Sequence, residues 1–348
     1  MSYTNGLDKP SDYFNTVLYT GTGTTQSITG VGFQPDWIWL KSRTTAEFHT
    51  VYDSVRGSAS NYKQLYTNST NAEVTPGTAG LTAIGTDGFT LGANDNSNAS
   101  SQNFVSWNWL AGGSASSNTD GDITSTVSAN TTSGFSIVSY TGNGGTATVG
   151  HGLGVVPKMI IAKRRSETGN WDIYNSNLGN NKSIFLNTTD ASFTDNTWNS
   201  TTPTSSVFTV GNNNVNRSGT TLIAYCFAEK KGFSKFGSYT GNGSTDGTFV
   251  YTGFKPAFVL AKKTNEQFTS WIILDNKRAN SFNPIEKRIF ANLSNAEDSS
   301  SNYCDLVSNG FKFRTSDNNA NDTDDSYIYM AFAESPFVTS TGIPTTAR

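Results

Sequence analysis

A chain of 348 residues with a formal net charge of -3 and two cysteines, Cys226 and Cys304, lacks the basic excess that a nucleic-acid backbone demands and the paired thiols of a disulfide framework. Asn, Ser and Thr sum to 127 residues and Gly adds 33, which favours turns and strands over helices because Ser, Thr and Asn compete for the backbone and Gly raises its entropy cost. Aromatics at 12% exclude a disordered chain, so the expectation is a folded all-β protein.

The opening "MSYTNGLDKPSDYF" has no basic start and no apolar run, so no secretory signal is expected, and no apolar stretch reaches the length of a membrane span. Next comes "YTGTG" (Tyr19 to Gly23). It is followed by "GFQPDWIWLKSR", "VYDSVRG", "LYTNSTNAE", "DGFTLG" and "FVSWNWLAG", which ends at Gly112. A stretch of linker composition, 113–134, contains one short strand-like piece, "DITSTV". Then the series restarts. "YTGNG" at Tyr140 precedes "LGVVPKMIIAKRR", "WDIYNS", "IFLNTTDA", "SVFTVG" and "LIAYCFAE". A third "YTGNG" at Tyr239 precedes "GFKPAFVLAKK", "WIILDNKR", "IFANLSNAE", "SNGFKFR" and "YIYMAFAE".

Pro35, Pro157 and Pro256 lie 122 and 99 residues apart, and Tyr19, Tyr140 and Tyr239 lie 121 and 99 apart. Two independent landmarks move together, which points to duplication. The expected architecture is three tandem β-sandwich repeats of jelly-roll or lectin-like type. Repeat 1 occupies 1–112 with its N-terminal segment, repeat 2 occupies 135–229 and repeat 3 occupies 230–348 with the C-terminal tail. The join between the second and third is short, so those two should dock closely. Runs such as Trp37-Ile-Trp-Leu40 are apolar on both faces and read as strands covered on both sides. Asn-Gly between such runs reads as a two-residue hairpin turn. A nucleotide loop at Gly142 to Gly154 is disfavoured, because Pro157 and another strand follow where a helix would have to begin.

Candidate chemistry is sparse. His49 and His151 lie in different repeats and read as surface or turn residues. The carboxylates Asp53, Glu73, Asp275 and Glu297 recur at matched places, and a glycosidase pair could be drawn from them. The recurrence of Asp53 with Arg56, and of Asp275 with Arg278, fits a structural pair at a turn better than an active site. Together with Pro35, Pro157 and Pro256 these are read as structural marks of the repeat, and no catalytic or cofactor-binding residue is assigned. Two acidic loops, "NTDGD" (Asn118 to Asp122) and "SDNNANDTDD" (Ser316 to Asp325), offer oxygen ligands for calcium without EF-hand spacing. The tryptophans read chiefly as core, Trp171 and Trp271 aligning with Phe48. Trp107, Trp109 and Trp198 are the candidates for stacking on a ligand. The basic spot Lys230, Lys231 and Lys235 reads as a solvated linker.

"DKPSDYF", "GFQPDWIWLKSR", "FSIVSYTGNG", "AYCFAEKKGFSKFGSYTGNGSTDGTFVYTGFKPAFVLAKK" and "YIYMAFAESPF" resemble an uncharacterised family of repeat-containing virion structural proteins of tailed, mainly marine, bacteriophages. The resemblance implies a virion component, a tail-fibre or receptor-binding protein acting by multivalent non-covalent contact. Its expected partners are other virion proteins and a host surface glycan or receptor, with a homo-oligomer, a trimer by preference, and neither nucleic acid nor membrane insertion. Capsid decoration and a glycan-degrading tail enzyme are the alternatives. The family carries no known ligand residues to transfer, and the chain lacks a heptad shaft.

Overall fold

The run Trp37-Ile-Trp-Leu sorts its side chains by alternation. Trp37 and Trp39 enter one apolar cluster while Ile38 and Leu40 enter another, as the two-residue period of a strand requires. Met159 and Ile161 separate from Ile160 and Ala162 in the same way, as do Phe258 and Leu260 from Val259 and Ala261. The inner residues of all three runs meet in a single shared cluster. The outer residues fall into three separate ones.

This computed structural model describes residues 4, 6–59, 61–211, 214–279 and 283–345, without the side chains of 300 and 301. The first unit runs through β1 (Phe14–Thr20), β2 (Gln26–Thr29), β3 (Trp37–Ser42), β4 (Thr50–Asp53), β5 (Leu65–Tyr66), β6 (Leu81–Gly85), β7 (Gly88–Leu91) and β8 (Asn103–Trp109). The second comprises β9 (Ser116–Asn118), β10 (Ser125–Asn130), β11 (Phe135–Thr141), β12 (Ala147–Gly150), β13 (Met159–Arg164), β14 (Trp171–Asn175), β15 (Lys182–Phe185), β16 (Phe193–Thr194), β17 (Val207–Val210) and β18 (Thr221–Phe227). The third comprises β19 (Ser234–Thr240), β20 (Phe249–Tyr251), β21 (Phe254–Lys263), β22 (Ile272–Asp275), β23 (Ile285–Phe290), β24 (Asp298–Val307), β25 (Gly310–Phe313) and β26 (Ser326–Pro336).

The protein is all-β, and its sheets are antiparallel and arranged as sandwiches. The main sheets run β1-β8-β3-β4-β5, β9-β10-β11-β18-β13-β14-β15-β16 and β19-β26-β21-β22-β23-β24-β25-β20. Small sheets β2-β7-β6 and β12-β17 cover the outer faces of the first two. In the third the covering strands are the far end of the main sheet itself. Pro35 and Pro157 stand two residues before the first residues of β3 and β13, whereas Pro256 sits inside β21 at a register shift.

The Tyr-Thr-Gly motif is not the hairpin turn expected from its Asn-Gly. β1 pairs with β8 and β2 with β7, so the motif carries the chain from one sheet to the other. The hydroxyls of Tyr19, Tyr140 and Tyr239 donate to the carbonyls of Ser97, Val215 and Ala320 at 2.6, 2.7 and 2.7 Å. The next residues, Asn98, Asn216 and Asn321, accept backbone N–H groups of the loop from Thr22, Asn143 and Asn242. Close backbone approach makes the first glycine obligatory: a Cβ on Gly21, Gly142 or Gly241 would lie 2.2, 2.3 or 2.0 Å from a carbonyl oxygen. The motif is a clasp, which is why it recurs.

The stretch 113–134 is also more than a linker with one strand. It forms β9 and β10, and β10 pairs along β11 in the second main sheet.

Candidate functional site

The three units close a ring, and the charged and polar residues singled out by sequence lie at its junctions. The Trp171 indole N–H donates to the Tyr66 carbonyl (2.8 Å), joining the second unit to the first. Trp271 donates likewise to Phe185 (2.8 Å), joining the third to the second. His49 Nε2 lies 3.0 Å from the Phe290 carbonyl, joining the first to the third. The acceptors Tyr66, Phe185 and Phe290 hold equivalent register positions, opposite Thr50, Asp172 and Ile272. Head-to-tail contacts that return to their origin make a closed ring. All three units therefore dock, not the second and third alone.

His49 is thus the partner of Trp171 and Trp271; the expected alignment with Phe48 is one residue out. Nor are the histidines at the surface, since His49 and His151 are both fully buried. His49 Nδ1 accepts from the Trp39 indole (3.0 Å), so its Nε2 carries the proton and donates to Phe290. Burial holds its pKa well below the usual histidine range, which keeps the ring neutral. His151 Nδ1 accepts from the Leu153 N–H and its Nε2 faces the Thr204 carbonyl.

At the junction of units one and two, Asp53 and Arg56 form a fully buried pair (2.5 Å), and the Arg56 guanidinium reaches on to Glu73 (3.0 Å). Arg165 of the second unit binds Glu73 with two nitrogens (2.8 and 3.1 Å), and the Tyr225 hydroxyl donates to Asp53 (2.7 Å). The junction of units three and one repeats this arrangement. Asp275 pairs with Arg278 (2.6 Å), Arg278 with Glu297 (3.1 Å) and Glu297 with Arg43 (3.0 Å), while the Trp107 indole donates to Asp275 (2.9 Å). At the junction of units two and three, Asn175 and Leu178 stand in the places of Asp and Arg. Ser192 stands for Glu and bonds the Thr264 carbonyl through its hydroxyl (2.9 Å). Loss of the acid, the arginine and the second acid together leaves no stray charge.

Lys41, Lys163 and Lys262 occupy a further equivalent set, each buried with its ammonium on backbone carbonyls: Ser42 and Thr45, Arg164 and Thr70, and Lys263. Desolvation brings their pKa values down to about 8, about 8 and about 7.

The acidic loops are engaged by the chain itself. Glu266, Asp322 and Asp325 bring carboxylate oxygens within 4.8 Å of one another, and all three pair with the Lys263 ammonium, Asp322 at 3.2 Å. The positive charge a calcium ion would supply is already provided there by a lysine. In the other loop, Asp122 accepts from the backbone and hydroxyl of Thr148 (2.9 and 2.8 Å), pinning the loop to β12.

The expected stacking tryptophans are core residues: Trp107, Trp109 and Trp198 are 0–1% exposed. Trp37 stacks on Tyr225 of the second unit (centroids 4.6 Å apart), and Trp109 meets Phe332 of the third edge-on (5.6 Å). Cys226 and Cys304 are buried free thiols.

The concave feature that sequence reading missed lies at one edge of the third unit. Residues Glu229, Lys235, Tyr251, Thr252, Gly253 and Phe337 line a recess of 430 Å³. Tyr251 is 60% exposed there, and neighbouring Phe249 is 46% exposed. Lys235 pairs with Glu229 (2.8 Å), so the basic spot forms part of this rim.

The fold and its junctions define a class: an all-β ring of sandwiched sheets around a shared aromatic core, with its buried ions at the seams. The chain belongs to the family described as Domain of unknown function (DUF7483), whose match covers residues 9–336 and so spans all three units. No curated protein and no solved structure matches it.

Proposed function

We propose that the protein is a structural component of a tailed-bacteriophage virion, acting at the tail as a fibre or receptor-binding part through non-covalent contact. The resemblance of its motifs suggests the setting. The observation that carries the mechanical part of the reading is the ion network of the junctions. Asp53, Glu73, Asp275 and Glu297 each bind arginine, five of the six ion pairs within a unit or across a seam being 3.0 Å or shorter. Such carboxylates serve to lock units together, and with side-chain exposures of 0–12% they offer no open face to a glycan. This favours attachment over glycan hydrolysis.

Because the units are fixed in one ring, avidity would come from several copies of the chain on the particle rather than from flexible repeats within it. Gold-labelled antibody to this chain on intact source virions tests the reading in the electron microscope. Label confined to the tail is the expected result. Label over the head would replace it with capsid decoration, and absence of label from the particle would remove the virion reading altogether.

A further inference from the structure

In the second unit two open strand edges are closed by the chain's own preceding segment. β10 lies along the outer edge of β11, with Thr126, Ser128 and Asn130 opposite Ser139, Ile137 and Phe135. Just upstream, Ile123 forms a parallel bridge to Val149 at the free edge of β12. Ile123 and Val127 are 7% and 6% exposed and belong to that unit's apolar cluster, so the segment plugs the gap between the two sheets. The plug is tight: a Cβ on Gly152 would lie 3.0 Å from Val127 Cγ1.

Among the described residues, the third unit presents the same two edges without such a segment. Tyr239 matches Tyr140, so Ser234, Phe236 and Ser238 of β19 match Phe135, Ile137 and Ser139. Val250 of β20 likewise matches Val149, and Thr252-Gly253 match His151-Gly152. β19 and β20 are the terminal strands of their sheet. At Phe236 the edge is met by two long side-chain contacts, the N–H to Glu229 (3.3 Å) and the carbonyl from Asn177 (3.4 Å). The 430 Å³ recess opens between these strands, lined by Ser234, Lys235, Tyr251, Thr252 and Gly253. It corresponds to the place that Val127 and Ile123 fill in the second unit.

We propose that this edge accepts an extended segment of a partner polypeptide, which adds as a strand outside β19 and sets an apolar side chain into the recess. Edge strands bind peptides this way because main-chain hydrogen bonds supply affinity and pockets for alternate side chains supply selectivity. The chain's own donor shows the pattern: "DGDITSTVSAN" places Ile123 and Val127 among small β-favouring residues. Charge agrees with it. Lys235 stands on the rim, which suits a segment with acidic residues beside its apolar anchor, as Asp120 and Asp122 stand beside Ile123. The inference rests on the edge geometry and goes beyond the virion reading, holding for any partner that supplies such a strand.

The probe is a fluorescent synthetic peptide of residues 120–131 added to the full-length chain and followed by anisotropy. Saturable binding is expected, weakened at least about tenfold for a peptide carrying Val127→Asp and for a scrambled peptide. A protein variant Thr252→Trp, which bulks out a buried side chain in the wall of the recess, should lose binding to the same extent, and Lys235→Glu, at a half-buried rim residue, should weaken it while leaving the melting temperature near that of the parent. Absence of saturable binding, or binding indifferent to peptide order or to Thr252→Trp, overturns the proposal. Strand exchange in the second unit would keep the dependence on peptide order but ignore Thr252→Trp. Self-association of the chain that the peptide abolishes would put a second copy on this edge and overturn the choice of a foreign partner. None of these outcomes depends on where the protein sits on a particle.

Discussion

The Tyr225 hydroxyl donates to the Asp53 carboxylate across the seam between the second and first units, 2.7 Å away, beside an arginine with no exposed side-chain surface. Removing only the hydroxyl with Tyr225→Phe deprives Asp53 of one donor and should cost about 1–2 kcal/mol. Asp53→Asn strands the Arg56 charge in the interior and should cost more, about 3–5 kcal/mol. Urea denaturation of the two variants checks the order.

The seam between the second and third units makes the converse prediction. Leu178→Arg brings in a cation opposite Asn175 and should destabilise the chain. Adding Asn175→Asp rebuilds the pair present at the other two seams and should recover part of the loss, a coupling of about 0.5–3 kcal/mol in a double-mutant cycle. A coupling of zero would mean that the seams are not equivalent.

The clasp predicts opposite outcomes for two glycines of neighbouring type. Gly241→Ala would put a methyl 2.0 Å from the Asp322 carbonyl oxygen, whereas a Cβ on Gly145 meets nothing within 4 Å. The first should lower the melting temperature by several degrees, consistent with a loss of about 1–3 kcal/mol for forced overpacking, and the second should leave it nearly unchanged.

Asp172 is buried within the second unit, and desolvation, with Asp195 nearby, pushes its pKa up to about 8. An unfolded aspartate titrates near about 4. The folded state therefore retains a proton that the unfolded state releases, and the stability tied to this group falls from about pH 4 up to about 8. Asp172→Asn removes the titration. The gain of the variant over the parent should be small at acid pH, grow across that window and level off above it, as read from melting temperatures in a pH series.

The sequence showed the recurrence because the motifs that repeat are those with local physical requirements. Gly21, Gly142 and Gly241 must approach a carbonyl, and Pro35 and Pro157 precede a strand that is buried on both faces. The Asp53–Arg56 and Asp275–Arg278 pairs were legible for the same reason, being three residues apart. The seams were not. Glu73 meets Arg165, and Glu297 meets Arg43, across long stretches of chain, and no local pattern distinguishes a face packed on another unit from one packed on its own covering sheet. His49 escaped because its neighbour Phe48 matches the tryptophans in chemistry, while His49 matches them in register. Trp107, Trp109 and Trp198 illustrate the same limit: an aromatic in a strand looks alike whether it faces solvent or a second sheet. The open edge of β19 was invisible because it is defined by a strand that the second unit has and that, among the described residues, the third lacks.

The central claim is that three sets of inner side chains, among them Trp37, Ile161 and Leu260, share one core and so cannot fold separately. Differential scanning calorimetry of the full chain tests it most directly. A single transition is expected, with calorimetric and van't Hoff enthalpies that agree. Two or three resolvable transitions, each fitting the enthalpy of a single unit, would contradict it.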